Sequence, residues 1–396
     1  MFLNQKLRLM IIGTQKRMVN IYRFVAIISF TVAIFFLLLN GLAWSALKLR
    51  IEEDAYSRAQ KKYDKFLPDL YPGKSKDEIE LLWREMGSRP FVFEPFIDYR
   101  NRPYKGKYVN VSSVGFRKSI PAGPWPPDAK NYNVFLFGGS TTFGWGVEDE
   151  QTIASYLQKK LRKKNISKNI YVYNFGTESY YSTIERIRFE QLLLKYQPPD
   201  MAIFVDGRND FSYYDDDHAT AEQIRQSFLS DRFKLSFILP RIFNSLPINT
   251  FIQKQILKSK EPSKSDFRNT HSDSAVVSHI IDRYLKNKMM IESVARAYEV
   301  QTYFVWQPVP NYKNNLARYL FIDVLKPEYI GGLIFAPGGY DIIAQMNQNG
   351  QLGTHFIYCA QIQEKLDMLM YIDSNHYSGP FSEKVAECIR DGIGQF

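Results

Sequence analysis

Four short apolar runs, each closed by a turn signal, constrain this chain more than any other feature of it. NVFLFGG (133–139), IYVYNFG (170–176), DMAIFVDG (200–207) and QTYFVWQPVP (301–310) read as strands bounded by glycine or proline. Between and after them, helical periodicity takes over. Ile153, Tyr156, Leu157 and Leu161 recur at helical spacing within 151–164, and 182–196, 275–300 and 380–390 read as further helices. Alternation of strand and helix predicts an α/β fold with a parallel sheet covered on both faces. Continuous apolar runs fit, because parallel strands are buried on both sides. In open sheets of this kind a site forms outside the carboxyl ends of the strands.

The rest of the chain divides around that pattern. Residues 1–23 are a basic tail, 24–47 an apolar span, and 48–110 a charged stalk or linker followed by irregular chain rich in Pro, Tyr and Asn. A domain over 111–396 follows, with insertions at about 211–275 and 311–360. The first insertion ends in the polar stretch KSKEPSKSDFRNTHSDS (258–274); the second reads as irregular, with GG and PGG turns.

The span FVAIISFTVAIFFLLLNGLAWSAL (24–47) is 24 residues without a charge. At 1.5 Å per residue it reaches about 36 Å, enough for a hydrocarbon core of ~30 Å. A cleavable signal peptide is the rival reading, with Ala43 and Ser45 at a cleavage-like spacing, but the run is long for one. Basic residues flank the span on both sides, so charge does not orient it. A short tail before it and a large domain after it predict a cytoplasmic N-terminus and a periplasmic or extracellular domain.

The net charge of +10 belongs to this end. Residues 1–50 hold seven Lys or Arg and no acid; 10 less 7 leaves +3 on the other 346 residues. No basic stripe interleaved with aromatics occurs there, which argues against a nucleic-acid partner. The two cysteines, Cys359 and Cys388, fit one disulfide of an exported domain or two buried thiols. No Cys/His spacing suggests zinc, and no cofactor motif is present.

What sits at the strand ends is chemically pointed. The first strand ends at Gly138, Gly139 and Ser140, the second at Asn174, Phe175 and Gly176, the third at Asp206, Gly207, Arg208, Asn209 and Asp210; a late loop carries Asp373 three residues before His376. A serine hydroxyl becomes a nucleophile when a base such as His376 takes its proton, and Asp373 can fix the imidazole tautomer. Backbone N–H groups of Ser140 and Gly176 and the Asn209 carboxamide are candidate oxyanion donors. Each residue has a plainer reading alone: helix cap for Ser140, turn glycine for Gly176, Asx-turn for Asn209, surface cap for Asp373 and His376. Their order at successive strand ends favours the catalytic one.

In that order, GGST, NFG, GRND and DSNH, the chain resembles the SGNH or GDSL-type hydrolase superfamily over roughly 111–392. VSSVGFR (111–117) and the QP after the fourth strand are similar to membrane-anchored bacterial members. The resemblance implies a flavodoxin-like three-layer α/β/α sandwich and hydrolysis of O-acyl or other esters. It implies Ser140 as nucleophile, Gly176 and Asn209 as oxyanion donors, and Asp373 and His376 as the acid–base pair. Gly139 departs from the pattern, because many members carry Asp there.

Further features carry less. Arg208 is a candidate contact for an anionic or sugar substrate. The run Tyr213, Tyr214, Asp215, Asp216, Asp217 and His218 reads as a solvated loop before a metal site. His271, His279 and His355 read as structural, and the apolar stretch 233–251 as core cover. The expected activity is a membrane-anchored serine esterase acting on an acylated envelope or exported glycan. An O-acyltransferase using the same site beside a membrane partner is the first alternative, and a non-catalytic envelope scaffold the second.

Overall fold

The computed structural model describes residues 2–49, 66–87, 91–163, 167–214, 246–249, 274–321 and 331–394. Most of the first insertion lies outside these residues, including Asp215, Asp216, Asp217, His218 and His271 and nearly all of 233–251. The chain forms two units, one of residues 1–52 with 223–263 and one of the remainder.

The first unit is dominated by helix α1 (Phe2–Leu49). Within it, Thr14–Ala46 is long and apolar enough to cross a membrane, with a mean hydropathy of 2.4 in its most apolar window. Its side chains are almost all exposed, as expected of a helix whose apolar surface is not covered by protein.

The second unit is built on a parallel sheet. Its strands are β5 (Tyr132–Gly138), β6 (Ile170–Asn174), β7 (Met201–Asp206), β8 (Gln301–Trp306) and β9 (Phe356–Tyr358), in the order β6-β5-β7-β8-β9. Alternate side chains feed two separate cores. Val134, Leu136, Ile203 and Val305 face helices α5 (Ile153–Leu161) and α10 (Gly379–Ile393). Phe135, Phe137, Phe204 and Trp306 face α6 (Ser182–Lys195), α8 (Ser274–Ala297) and α9 (Ala336–Gln348). This is the three-layer sandwich expected, in the flavodoxin-like strand order, and β5 and β7 flank its switch point. Cys359 and Cys388 are joined by a disulfide that ties the end of β9 to α10.

Three expectations need correction. Residues 311–360 are not uniformly irregular, since they contain α9 and the edge strand β9. Helix α9 begins at Ala336 and carries Pro337 in its first turn, where a missing N–H costs nothing. The stretch after residue 65 is not stalk. Helices α2 (Leu67–Leu70) and α3 (Lys76–Gly87) bury Leu67, Leu70, Ile79, Leu82, Trp83 and Met86 in one cluster with Phe143 and Ile372. Finally, 91–111 forms two short antiparallel ribbons, β1 (Val92–Phe93) with β2 (Tyr99–Arg100) and β3 (Tyr104–Lys105) with β4 (Asn110–Val111).

Candidate active site

Strand β5 runs into Gly138 with φ at 153°, a conformation that favours glycine, and then into the one-turn helix α4 (Ser140–Phe143). Ser140 is the first helical residue and Gly139 the cap, so the helix-cap alternative for Ser140 does not hold. As the first residue of a helix, Ser140 has a backbone N–H with no intrahelical acceptor.

Ser140, His376 and Asp373 meet despite a separation of 236 residues between the first two. Ser140 Oγ lies 2.9 Å from His376 Nε2, and His376 Nδ1 lies 2.6 Å from Asp373 Oδ2. The other carboxylate oxygen, Asp373 Oδ1, accepts the backbone N–H groups of Asn375 and His376, both at 2.8 Å. Burial pushes the Asp373 carboxyl up, but the adjacent His376 and these two amides outweigh it and hold it below its ordinary value. An ionised carboxylate at Nδ1 selects the tautomer that leaves Nε2 free to take the serine proton. Asn375 Nδ2 also reaches Nε2, at 3.2 Å.

Packing fixes the imidazole further. Trp145 stacks on the His376 ring at 4.9 Å between centroids, and Trp83 meets Trp145 edge-on at 4.9 Å. Trp83 Nε1 donates to Tyr71 OH at 2.9 Å, which donates to Gly146 O at 3.0 Å. Helices α2 and α3, read from sequence as stalk, thus buttress the histidine.

Gln307, just after β8, was noted in the sequence only as part of a QP pair. Its Oε1 accepts Thr141 Oγ1 at 2.7 Å and Tyr377 OH at 3.1 Å, joining the helix that Ser140 opens to the histidine loop. Arg117, the last residue of VSSVGFR, is fully buried. It donates to Asp149 Oδ1 at 2.8 Å, Phe143 O at 3.1 Å, Gly144 O at 2.5 Å and Val147 O at 2.6 Å. It holds the chain that leaves α4.

The oxyanion expectations divide. Asn209, near the start of α7 (Arg208–Ser212), donates one Nδ2 hydrogen to Tyr180 O at 2.6 Å, and Arg208 Nη1 donates to its Oδ1 at 2.7 Å. Both contacts orient the carboxamide so that Nδ2 faces Gly139. A Cβ at Gly139 would overlap that nitrogen where it stands.

Gly176 does not offer the N–H expected of it. That N–H donates to Asn174 Oδ1 at 3.0 Å, and a Cβ on Gly176 would overlap the backbone of Thr142 and Phe143. Its glycine identity serves close approach to α4. Three residues on, Ser179 adopts φ 66°, and its N–H has no hydrogen-bond acceptor among the described residues. Ser179 adjoins Tyr180, whose carbonyl holds Asn209, and Thr177 N donates to Gly138 O at 3.0 Å, so this loop packs on the glycine turn.

Arg208 stands at the site. Burial holds its pKa below the ordinary guanidinium value, and the nearby Asp373 carboxylate offsets only part of that. Among the described residues no group of three or more His, Cys, Asp or Glu is placed to hold a metal ion.

A serine hydroxyl, an imidazole and a carboxylate in one hydrogen-bonded series, at the carboxyl edge of a flavodoxin-like sheet, is an arrangement suited to acyl transfer. No family model and no curated protein matches this chain. Solved structures similar to it include esterases and members of the lipolytic G-D-S-L family. A psychrotrophic esterase from Pseudoalteromonas sp. is 14% identical, with a TM-score of 0.34 over 66% of this chain and 97% of its own. A catalytic variant of an acetylxylan esterase from Geobacillus stearothermophilus is 11% identical, with a TM-score of 0.37 over 68% and 97%. A member of the lipolytic G-D-S-L family from Veillonella parvula is 9% identical, with a TM-score of 0.33 over 66% and 95%. Likeness at this level says nothing of what this chain acts on.

Proposed function

We propose that this protein is a membrane-anchored serine esterase. The carrying observation is the unbroken series from Ser140 Oγ through His376 to Asp373. Ser140 Oγ attacks the ester carbonyl carbon while its proton passes to His376 Nε2. The tetrahedral oxyanion faces Asn209 Nδ2 and the N–H of Ser140, with the N–H of Ser179 in place of that of Gly176 as the third donor. His376 then protonates the departing alkoxide, leaving the acyl group on Ser140. Water, deprotonated by His376, attacks the acyl-enzyme and releases the carboxylic acid and free Ser140.

The apolar helix α1 supports anchoring, and the disulfide supports an oxidising compartment such as a periplasm or cell exterior. The substrate class offered there is an O-acyl group, acetyl among them, on an envelope or exported glycan. Incubating the full chain with a short acyl ester, with and without an added sugar hydroxyl acceptor, tests the reading. Release of free acid that is lost in Ser140→Ala supports hydrolysis. Acyl groups appearing only on the acceptor would assign transfer, and no Ser140-dependent turnover of any ester would sink both.

A further inference from the structure

Two buried guanidinium groups of this domain have acids beside them. Arg117 meets Asp149 at 2.8 Å, and Arg188 lies 3.8 Å from Glu94. Arg208 differs, because among the described residues no carboxylate forms an ion pair with it. Asp373 is the acid whose charge acts most on it. Both Asp373 oxygens are committed elsewhere, Oδ2 to His376 Nδ1 and Oδ1 to two backbone N–H groups. Tyr377 and Tyr340, which also bear on Arg208, are phenols that burial keeps neutral. A cation withdrawn from water without a counter-ion is costly, and an anion brought to it is correspondingly favoured.

The backbone under Arg208 is fixed. Gly207 adopts φ 118°, and its N–H donates to Asp210 Oδ2 at 3.4 Å. Ser182 Oγ donates to Asp210 Oδ1 at 2.6 Å, and Arg283 Nη2 to Asp210 O at 2.7 Å. The guanidinium therefore springs from a pinned turn. Its Nη1 is spent on Asn209 Oδ1 at 2.7 Å. Its Nε is cut off from solvent, and neither Nε nor Nη2 has an acceptor among the described residues. These two N–H groups lie parallel on one edge of the planar group, matched to two oxygens of a carboxylate or phosphate. Arg318 shows that use within this chain, with Nε and Nη2 donating to Oδ1 and Oδ2 of Asp367.

We propose that Arg208 is a specificity-determining residue, and that the esters this site takes carry an anionic group, carboxylate or phosphate, on the alcohol portion. The proposal rests on the esterase reading and narrows its substrate class. Position separates this role from that of an oxyanion donor. Asn209 turns Nδ2 toward Gly139, while Arg208 holds Oδ1 of the same carboxamide. The guanidinium is thus one carboxamide removed from the reacting carbonyl and serves a neighbouring part of the substrate. An acetyl group has no atom to bear a negative charge, which leaves the alcohol to carry it.

The test compares matched acetyl esters with the full chain in detergent. One pair is the ester of γ-hydroxybutyrate against that of its methyl ester, and the other that of glycerol phosphate against that of glycerol. Wild type is expected to prefer at least one anionic ester by about tenfold or more in kcat/KM, as for a charge-assisted bidentate contact. Preference within one pair alone identifies the anion as carboxylate or as phosphate. In Arg208→Met the preference is expected to fall to about one, and in Arg208→Lys to be kept in part, since lysine offers charge without the paired donors. Loss of the Asn209 contact slows all four esters, so the ratio within a pair isolates the anion. Ratios near one in wild type, or ratios unchanged in Arg208→Met, overturn the proposal. A second arm needs no turnover. Calorimetric titration of the Ser140→Ala chain with the two uncleaved anionic esters is expected to show binding that an added Arg208→Met weakens about tenfold; equal binding overturns the proposal. Arg208-dependent binding in a chain whose wild type cleaves no ester would uphold the anion site while the esterase reading fails.

Discussion

Replacing Arg117 with Met should cost this domain more than any surface change, and the structure says how much. Its guanidinium is wholly buried against Asp149 Oδ1 and the carbonyls of Phe143, Gly144 and Val147. Methionine fills much of the volume but leaves Asp149 as a buried charge without its cation and removes the guanidinium donor from three carbonyls, of which Phe143 O and Gly144 O keep only long contacts to Asn174 Nδ2 and Val147 N. Breaking a buried pair in this way costs about 3–5 kcal/mol. At roughly 2–4 °C per kcal/mol, the expected fall in Tm is about 6–20 °C. The domain's unfolding in detergent, followed by near-ultraviolet circular dichroism, reads it. A double variant, Arg117→Met with Asp149→Leu, should recover part of the loss, because it removes the stranded charge along with its partner. A Tm within 2 °C of wild type for the single variant would refute the reasoning, since about 1 kcal/mol or less is what an exposed pair contributes. Ester turnover should fall further than stability at temperatures where the variant is folded, because Arg117 fixes the carbonyls at the end of the helix that starts with Ser140.

Other expectations follow from the same contacts. Asp373→Asn should lower kcat by about 10⁴ with the fold retained, because the amide no longer selects the productive imidazole tautomer. The Asp373 carboxyl is held below its ordinary value in the folded state, so its stabilisation is present above the unfolded value near pH 4 and lost as pH falls through the folded one. The stability gap between wild type and Asp373→Asn should thus be level from pH 5 to 8 and close below about pH 4, as urea titration would show. Asp206 has the opposite sign: burial, then the nearby Asp210 charge, push its carboxyl well up. Its contribution is present below about pH 4 and lost as pH rises toward the folded value, so Asp206→Asn should gain on wild type as pH rises; no such trend between pH 5 and 9 would contradict the assignment. The disulfide closes a separation of 29 residues, for which chain entropy gives roughly 3–4 kcal/mol. Cys359→Ala/Cys388→Ala should lower the urea midpoint accordingly, and an unchanged midpoint would count against it.

How far this molecule could be read from its sequence varies by element. Strands β5 to β8 lie within a few residues of expectation because each is apolar on both faces, and so are their helices. Strand β9 escaped because three residues carry no periodicity, and α9 because Pro337, Gly338 and Gly339 read as a turn. Helix α3 was legible in principle: Ile79, Leu82, Trp83 and Met86 recur at helical spacing, but the charges around them suggested a solvated stalk. At the site, Ser140, His376 and Asp373 could be grouped by chemistry because each functional group sits at a strand end or late loop. Gly176 could not be judged that way. A sequence shows where a glycine stands but not where its N–H points, and Asn174, two residues earlier, folds back onto it. Ser179 gave no signal, since serine does not advertise a left-handed backbone.

The central claim is that Ser140 is a nucleophile activated by His376. Reaction of the full chain in detergent with a fluorophosphonate probe tests it most directly. The account predicts stoichiometric labelling of wild type at Ser140, none in Ser140→Ala, and strongly slowed labelling in His376→Ala. Equal labelling of wild type and Ser140→Ala, or none of a wild-type protein shown to be folded, would contradict it.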